Sequence, residues 1–234
     1  MDFFSNRNSK HYGDKKMNEI KAAIFDMDGT ILNTLVDLKD ATNYGLSKNN
    51  LPERSLEEIR QFVGNGIKSL IAKAVPENTS AEIYQKVYED FTDFYKIHNS
   101  DNTCPYKGIK DAIKKIKESG IKTAVVSNKP DYGVQALVKQ FFDGLFDVSI
   151  GEREGVNKKP APDMVNLALN ALNVPKTNAV YIGDSDVDFN TAANSELKFI
   201  GVAWGFKGHD FLKELGSKFV VDTADELTKL IISK

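Results

Sequence analysis

The sequence predicts an α/β fold: a Rossmann-like parallel sheet with helices on both faces, plus a small all-helical unit inserted after the first strand. Two observations lead there. Apolar runs of strand length recur along the chain, nearly continuous rather than alternating, and most are followed by a helical pattern. That combination marks parallel strands buried on both faces. Residues 35 to about 103, by contrast, carry helical patterns only. A parallel crossover needs only about a dozen residues, so a stretch this long is expected to fold as a unit of its own.

The first strand is "KAAIFDM". The insert then reads as four helices: "LVDLKDATNYGLSK", "SLEEIRQFV", "IKSLIAKAV" and "SAEIYQKVYEDFTDFYKIHN". In the last, Val87, Phe91 and either Phe94 or Tyr95 form an apolar stripe at helical spacing. "KGIKDAIKKIKESG" is a helix with Ile109, Ile113 and Ile116 on one face and Gly120 at its end, and it leads into the strand "IKTAVVSN" (121–128). "DVSIG" (147–151) is the next strand. The helix "PAPDMVNLALNALN" follows, with a proline near its start and Val165, Ala168, Leu169 and Leu172 in register. The strand "AVYIGDS", a short helix near "DFNTAANS", the strands "KFIGVAWG" and "KFVVD" and the helix "TADELTKLIISK" complete the chain. The expected organisation is therefore a polar, flexible tail over 1–17, a core made of 18–33 and 104–234, and a helical insert over 34–103. The ends of the insert, near Asn33–Thr34 and Ser100–Pro105, are its expected hinges.

Composition narrows the function. In 234 residues, 31 Lys and Arg nearly balance 33 Asp and Glu, for a net charge of −2, so no basic excess points to a nucleic-acid partner. No apolar run approaches the roughly 18 residues of a membrane span. The single cysteine, Cys104, excludes an internal disulfide and a cysteine-based zinc cluster, and fits a reducing, cytoplasmic compartment. Cys104 is expected to be a small filler at the insert junction. His11, His98 and His209 lack metal-ligand spacing. The aromatic residues of 84–95 are expected in the insert's core or in a self-association face, in a monomer or homodimer.

The stretch "DMDG" (26–29) sets the functional question. Alone, Asp-Gly between apolar runs fits a hairpin turn as well as an active site. The ends of the other strands decide. Ligands of open parallel sheets bind beyond the carboxyl ends of the strands. Those ends carry Asp26 and Asp28, then Ser127 and Asn128, then Asp184, Asp186 and Asp188, with Lys158 and Lys159 in "NKKPAPD" between the last two groups. Clustered carboxylates bind a hard cation through oxygen, with Mg²⁺ the usual choice beside phosphate. A serine hydroxyl and a lysine ammonium hold phosphate oxygens. Two carboxylates at about 4 Å repel by roughly 4 kcal/mol at an effective dielectric of 20, and a divalent ion and a lysine offset that.

"DMDGT", "VVSN", "KKPAPD" and "GDSDVD" together resemble, in order, the four motifs of the haloacid dehalogenase (HAD) superfamily. The helical insert is similar to that superfamily's small helical cap. "QFVGNGIKSLI", "SNKPD" and "GVAWGF" look most like its phosphoglycolate phosphatase branch. The resemblance implies that Asp26 is the nucleophile and Asp28 the general acid and base. It implies unequal pKa values, with Asp26 ionised on the metal and Asp28 raised by its neighbours. Asp26, the main-chain carbonyl of Asp28, and Asp184 would hold Mg²⁺, supported by Asp188. Ser127, Asn128 and Lys159 would bind phosphate, Lys159 being preferred to Lys158 because it directly precedes the proline. Gly64, Asn65 and Gly66 are candidates for a substrate-facing loop of the cap, although "GNG" fits an ordinary helix-to-helix turn equally well.

The expected function is Mg²⁺-dependent hydrolysis of a small phosphorylated metabolite, 2-phosphoglycolate first, through an aspartyl-phosphate. A sugar phosphomutase or a pyrophosphatase on the same core is the alternative. Outside enzymes, the candidates are a phospho-accepting signalling domain or a silent phosphate-binding protein. The helical insert and Asp28 oppose the signalling domain; the intact motifs oppose the silent protein. Several single residues also have plain structural readings. Ser127 fits a helix cap, Asp163 a helix N-terminal charge, Asp186 a surface residue, and Trp204 either site or core.

Overall fold

The computed structural model describes residues 19–233. The tail expected over 1–17, and His11 in it, lie outside them. The first strand, β1 (Ala22–Phe25), leads to a short ribbon strand, β2 (Leu32–Asn33). Four helices follow: α1 (Leu35–Lys48), α2 (Leu56–Phe62), α3 (Ile67–Ala74) and α4 (Ala81–His98). The chain returns through β3 (Cys104–Pro105), which pairs antiparallel with β2. The remainder alternates helix and strand: α5 (Ile109–Glu118), β4 (Lys122–Pro130), α6 (Asp131–Phe142), β5 (Val148–Glu152), α7 (Asp163–Leu172), β6 (Ala179–Gly183), α8 (Asp186–Asn194), β7 (Lys198–Val202), α9 (Gly208–Glu214), β8 (Phe219–Val221) and α10 (Ala224–Ile232).

The sheet order is β5-β4-β1-β6-β7-β8, and every neighbouring pair is parallel. β1 lies between β4 and β6, so the turn at Gly29 does not make a hairpin. It stands instead at the point where the strand order reverses, which is where open α/β sheets place ligands. Alternation along β1 explains the two layers of helices. Ala23 and Phe25 pack with α5, α6 and α10, while Ala22 and Ile24 pack with α7, α8 and α9. Both faces are covered, which is why the strand reads as one apolar run.

Two helices that the sequence did not single out, α6 and α9, fill the remaining connections. α6 begins Asp-Tyr-Gly, and α9 begins with glycine and spans 7 residues, so neither has a strong helical signal of its own. The stripe on α4 resolves in favour of Tyr95, which is buried with Val87 and Phe91. Phe94 turns outward to stack on Tyr44 and His98. Cys104 is exposed on β3 rather than a filler at the junction, because the two-residue ribbon leaves its side chain uncovered.

One buried carboxylate ties the two ends of the helical unit together. Asp37, on the first turn of α1, accepts bonds from the main-chain N–H groups of Asn102 and Thr103, from Asn102 Nδ2 and from Thr103 Oγ1, at 2.7–3.1 Å. The incoming helix thereby grips the outgoing linker beside the ribbon. Asp37→Ala strands these donors in a buried place. It is expected to lower unfolding free energy by about 3 kcal/mol, which urea denaturation would measure; a change under about 0.5 kcal/mol would exclude the clamp.

Candidate active site

Main-chain geometry aims the carboxylates. The chain leaves β1 at Asp26, and Gly29 takes φ +90°, a left-handed conformation that glycine adopts without strain. This turn lets Asp26 and Asp28 line one cavity. Ser127, Asn128 and Lys129 close β4 and line it too. Three consecutive residues facing one side is not regular strand geometry; the β4–β5 register shifts between Val126 and Pro130, and this irregularity re-aims them. Lys159 supplies a cation from below. Leu38, Val63, Gly64, Gly66, Ile67 and Leu70 of the helical unit form the roof. The cavity is partly open to solvent, and its volume is about 50 Å³, room for a few waters or a small polar molecule.

Lys159 is the electrostatic hub. Its ammonium, 2% exposed, lies 2.7 Å from Asp26 Oδ1, 2.8 Å from Asp188 Oδ1 and 3.1 Å from the Tyr181 hydroxyl. Burial disfavours its charge, yet Asp188 and Asp26 outweigh burial and raise its pKa well above the ordinary lysine value. Lys158 is left outside the cavity and donates to the Asn65 carbonyl at 3.1 Å. Burial first, then the charge of Asp188, pushes Asp26 up to about 7 against the pull of Lys159. The expectation of a raised carboxyl thus falls on Asp26 itself in the absence of a cation. Asp184 is likewise raised well above the ordinary value, by burial and then by Asp188 and Asp26.

Asp26, Asp184 and Asp188 bring carboxylate oxygens within 4.8 Å of one another. Asp188, however, is already engaged. Its Oδ1 meets Lys159, and its Oδ2 accepts from Ser185 Oγ and from the N–H groups of Asp184 and Ser185. It therefore holds Lys159 and the loop in place, while Asp26 and Asp184 complete the cluster of oxygen donors. Asp184 is oriented by Phe206 N–H at 2.7 Å and Thr30 Oγ1 at 3.3 Å. A β-carbon on Gly205 would overlap Asp184 Cβ and the Gly29 carbonyl, so glycine is required for this approach. Raised, crowded, oxygen-only donors fit a hard divalent cation.

The other expected residues fall out as follows. Ser127 does not cap a helix: Pro130 precedes α6, and Ser127 Oγ accepts the Lys129 N–H at 3.2 Å. Asn128, expected on phosphate, lines the cavity, and its amide clasps the main chain of Lys159 through Oδ1 and Nδ2, at 2.9 and 3.0 Å. Asn128 thus positions Lys159. Gly64 and Gly66 are both in the α2–α3 turn and over the cavity, while Asn65 contributes its carbonyl to Lys158. Trp204 packs against the core and donates to the Thr30 carbonyl. Asp163 opens α7, and Asp186 is exposed at the start of α8. His98 and His209 pair with Asp101 and Asp210 at the surface. Sequence reasoning missed Tyr181, Lys129, Gly205 and Phe206. Tyr181 reads as an ordinary strand aromatic, and the other three sit in stretches where only contact shows which side chain or N–H faces the carboxylates.

Residues 23–202 match the haloacid dehalogenase-like hydrolase family. The chain belongs to that family. Among its relatives, a phosphoglycolate phosphatase from Colwellia psychrerythraea is 28% identical over 219 residues, 91% of this chain and 97% of that one. The pyrophosphatase PpaX of Listeria welshimeri is 30% identical over 216 residues, with the same coverage. A crystal structure from Lactobacillus delbrueckii subsp. bulgaricus, put forward as a phosphoglycolate phosphatase, superposes with TM-score 0.88 at 38% identity, covering 93% of this chain and all of that one. This haloacid dehalogenase-like hydrolase is thus an enzyme, and among its described residues no helix is long and apolar enough to cross a membrane.

Burial raises the Asp26 and Asp184 carboxyls above the unfolded aspartate value near 3.8, so both bind protons more tightly in the folded cation-free chain. Their contribution to stability is complete below that value and is lost, for Asp26, as pH rises through about 7. A divalent cation held on these carboxylates would compete with those protons. A thermal shift on adding Mg²⁺, the cation expected from the sequence, should therefore be larger at about pH 8 than at about pH 6. Equal shifts at both would disconnect the cation from these carboxylates.

Proposed function

We propose that this chain is a Mg²⁺-dependent phosphatase of small anionic phosphate compounds, with 2-phosphoglycolate as its preferred ester. The observation that carries this is the pairing of Asp26 with Asp28 on the floor of a small cavity, beside a buried lysine and a serine hydroxyl. The helical unit acts as a cap, and the limited space beneath it favours a small substrate.

Lys159 holds Oδ1 of Asp26, which leaves Oδ2 to attack phosphorus. The P–O bond to the leaving group breaks in line, and Asp28 delivers a proton to the departing oxygen. The product is an aspartyl-phosphate on Asp26. Asp28, now a carboxylate, takes a proton from water as that water attacks phosphorus, and the Asp26 O–P bond breaks to release phosphate. Ser127 accepts the Lys129 N–H through its oxygen, so its own proton is free to donate to a phosphoryl oxygen. The roof of apolar side chains excludes bulk water during transfer. A divalent cation on Asp26 and Asp184 would supply positive charge to the phosphoryl oxygens.

A second reading, pyrophosphate hydrolysis, is favoured by the 30% identical PpaX and uses the same residues. Phosphate release from a panel of metabolite esters and pyrophosphate, with and without Mg²⁺, separates the two. Asp26→Asn is expected to abolish release, and a rate within about tenfold of wild type would sink the mechanism. Asp28→Asn is expected to slow turnover by about 10²–10⁴-fold, most for esters with poor leaving groups; equal slowing for alkyl and nitrophenyl esters would remove it as general acid.

A further inference from the structure

The side chain of Lys129 has no part in the hydrolysis derived above, yet it is a buried cation, 4% exposed, lining the cavity. The ammonium donates to Tyr95 Oη at 2.7 Å, sits 4.7 Å from that ring's centroid and lies 3.3 Å from Asp28 Oδ1. Tyr95 belongs to the helical unit, so Lys129 stands where floor meets roof.

The charges around the cavity define what it lacks. Lys159 has three close acceptors, two of them carboxylate oxygens at 2.7 and 2.8 Å, and an ammonium has three protons. Lys129 has a neutral phenol and one carboxylate oxygen at the longer distance, and that Asp28 Oδ1 receives no hydrogen bond. Among the described residues, the only charged side chains lining the cavity are Asp26, Asp28, Lys129 and Lys159. The roof residues, from Leu38 to Leu70, bring no charge. A substrate whose phosphoryl group sits against Asp26 therefore meets one cation with bonding capacity to spare. In so small a space, its remaining atoms must lie close to that cation.

From this geometry we propose that Lys129 is the specificity residue of the site: it binds a second anionic group on the substrate, a carboxylate or a second phosphoryl, and so selects such compounds over esters with neutral tails. This rests on the phosphatase reading, which places the transferring group on Asp26. The two requirements, small size and a second negative charge, then come from different walls: the apolar roof limits length, and Lys129 demands charge.

Binding decides it without turnover. In the Asp26→Asn background, titration calorimetry with Mg²⁺ compares 2-phosphoglycolate and pyrophosphate with ethyl phosphate, which lacks the second anion. Adding Lys129→Met is expected to reduce the preference for either doubly anionic ligand over ethyl phosphate by about 30-fold, the size of one charge-assisted bond. Loss for 2-phosphoglycolate alone identifies a carboxylate site; loss for pyrophosphate alone identifies a second phosphoryl site. Lys129→Arg should retain a preference, and Tyr95→Phe, which keeps the ammonium, should retain it too. If Lys129→Met weakens all three ligands by one factor, or none, Lys129 merely supports Asp28 and the cap, and the proposal is overturned. Failure of the wild type to release phosphate from any compound would instead refute the hydrolytic reading, and the ligand preferences would still judge Lys129.

Discussion

A single ammonium surrounded by carboxylates organises this molecule. Lys159 lies between Asp26 and Asp188, nearly inaccessible to water. Removing its charge would leave like charges facing one another in a poorly screened place. Much of the surrounding structure serves to keep it there. Asn128 clasps its main chain from β4, Tyr181 accepts from its side chain, and Asp188 is itself fixed by a reciprocal cap with Ser185 at the start of α8. The site is accordingly a charge cluster whose members hold one another in place.

The same constraint explains the crowding of glycine around Asp184. The carboxylate must come close to the loop after β1 and the loop after β7 at once. Gly29 and Gly205 remove the atoms that would block it, and Phe206 N–H fixes its orientation. Phe206 then inserts its ring into the core of the helical unit. One residue thereby links Asp184 to the roof, so the two layers of the site share a mechanical connection beyond the β2–β3 ribbon.

The roof also completes the cavity chemically. Tyr95 and Lys129 meet across the interface, Lys158 reaches the Asn65 carbonyl, and Lys207 reaches the Gln61 carbonyl at 3.2 Å. Most of these contacts are core lysines donating to main-chain oxygens at the end of α2 and in the turn that follows. They depend little on side-chain identity in the roof, which leaves its apolar surface free to set the size of what fits beneath.

The sequence by itself determined the parallel sheet, the helical insert and the rim of Asp26, Asp28, Ser127, Lys159 and Asp184. Each rests on local pattern: apolar runs buried on both faces, helical spacing from residue 35 to about 103, and polar residues at strand ends. Only the tertiary structure decided which polar residues share a task. Asn128 supports the main chain of Lys159, and Asp188 joins the carboxylate cluster while its oxygens also hold Lys159 and the Ser185 loop. Lys129 and Tyr95, far apart in sequence, became partners across the cavity. These assignments depend on hydrogen-bond geometry between segments distant in the chain, and periodicity along the chain carries no information about it.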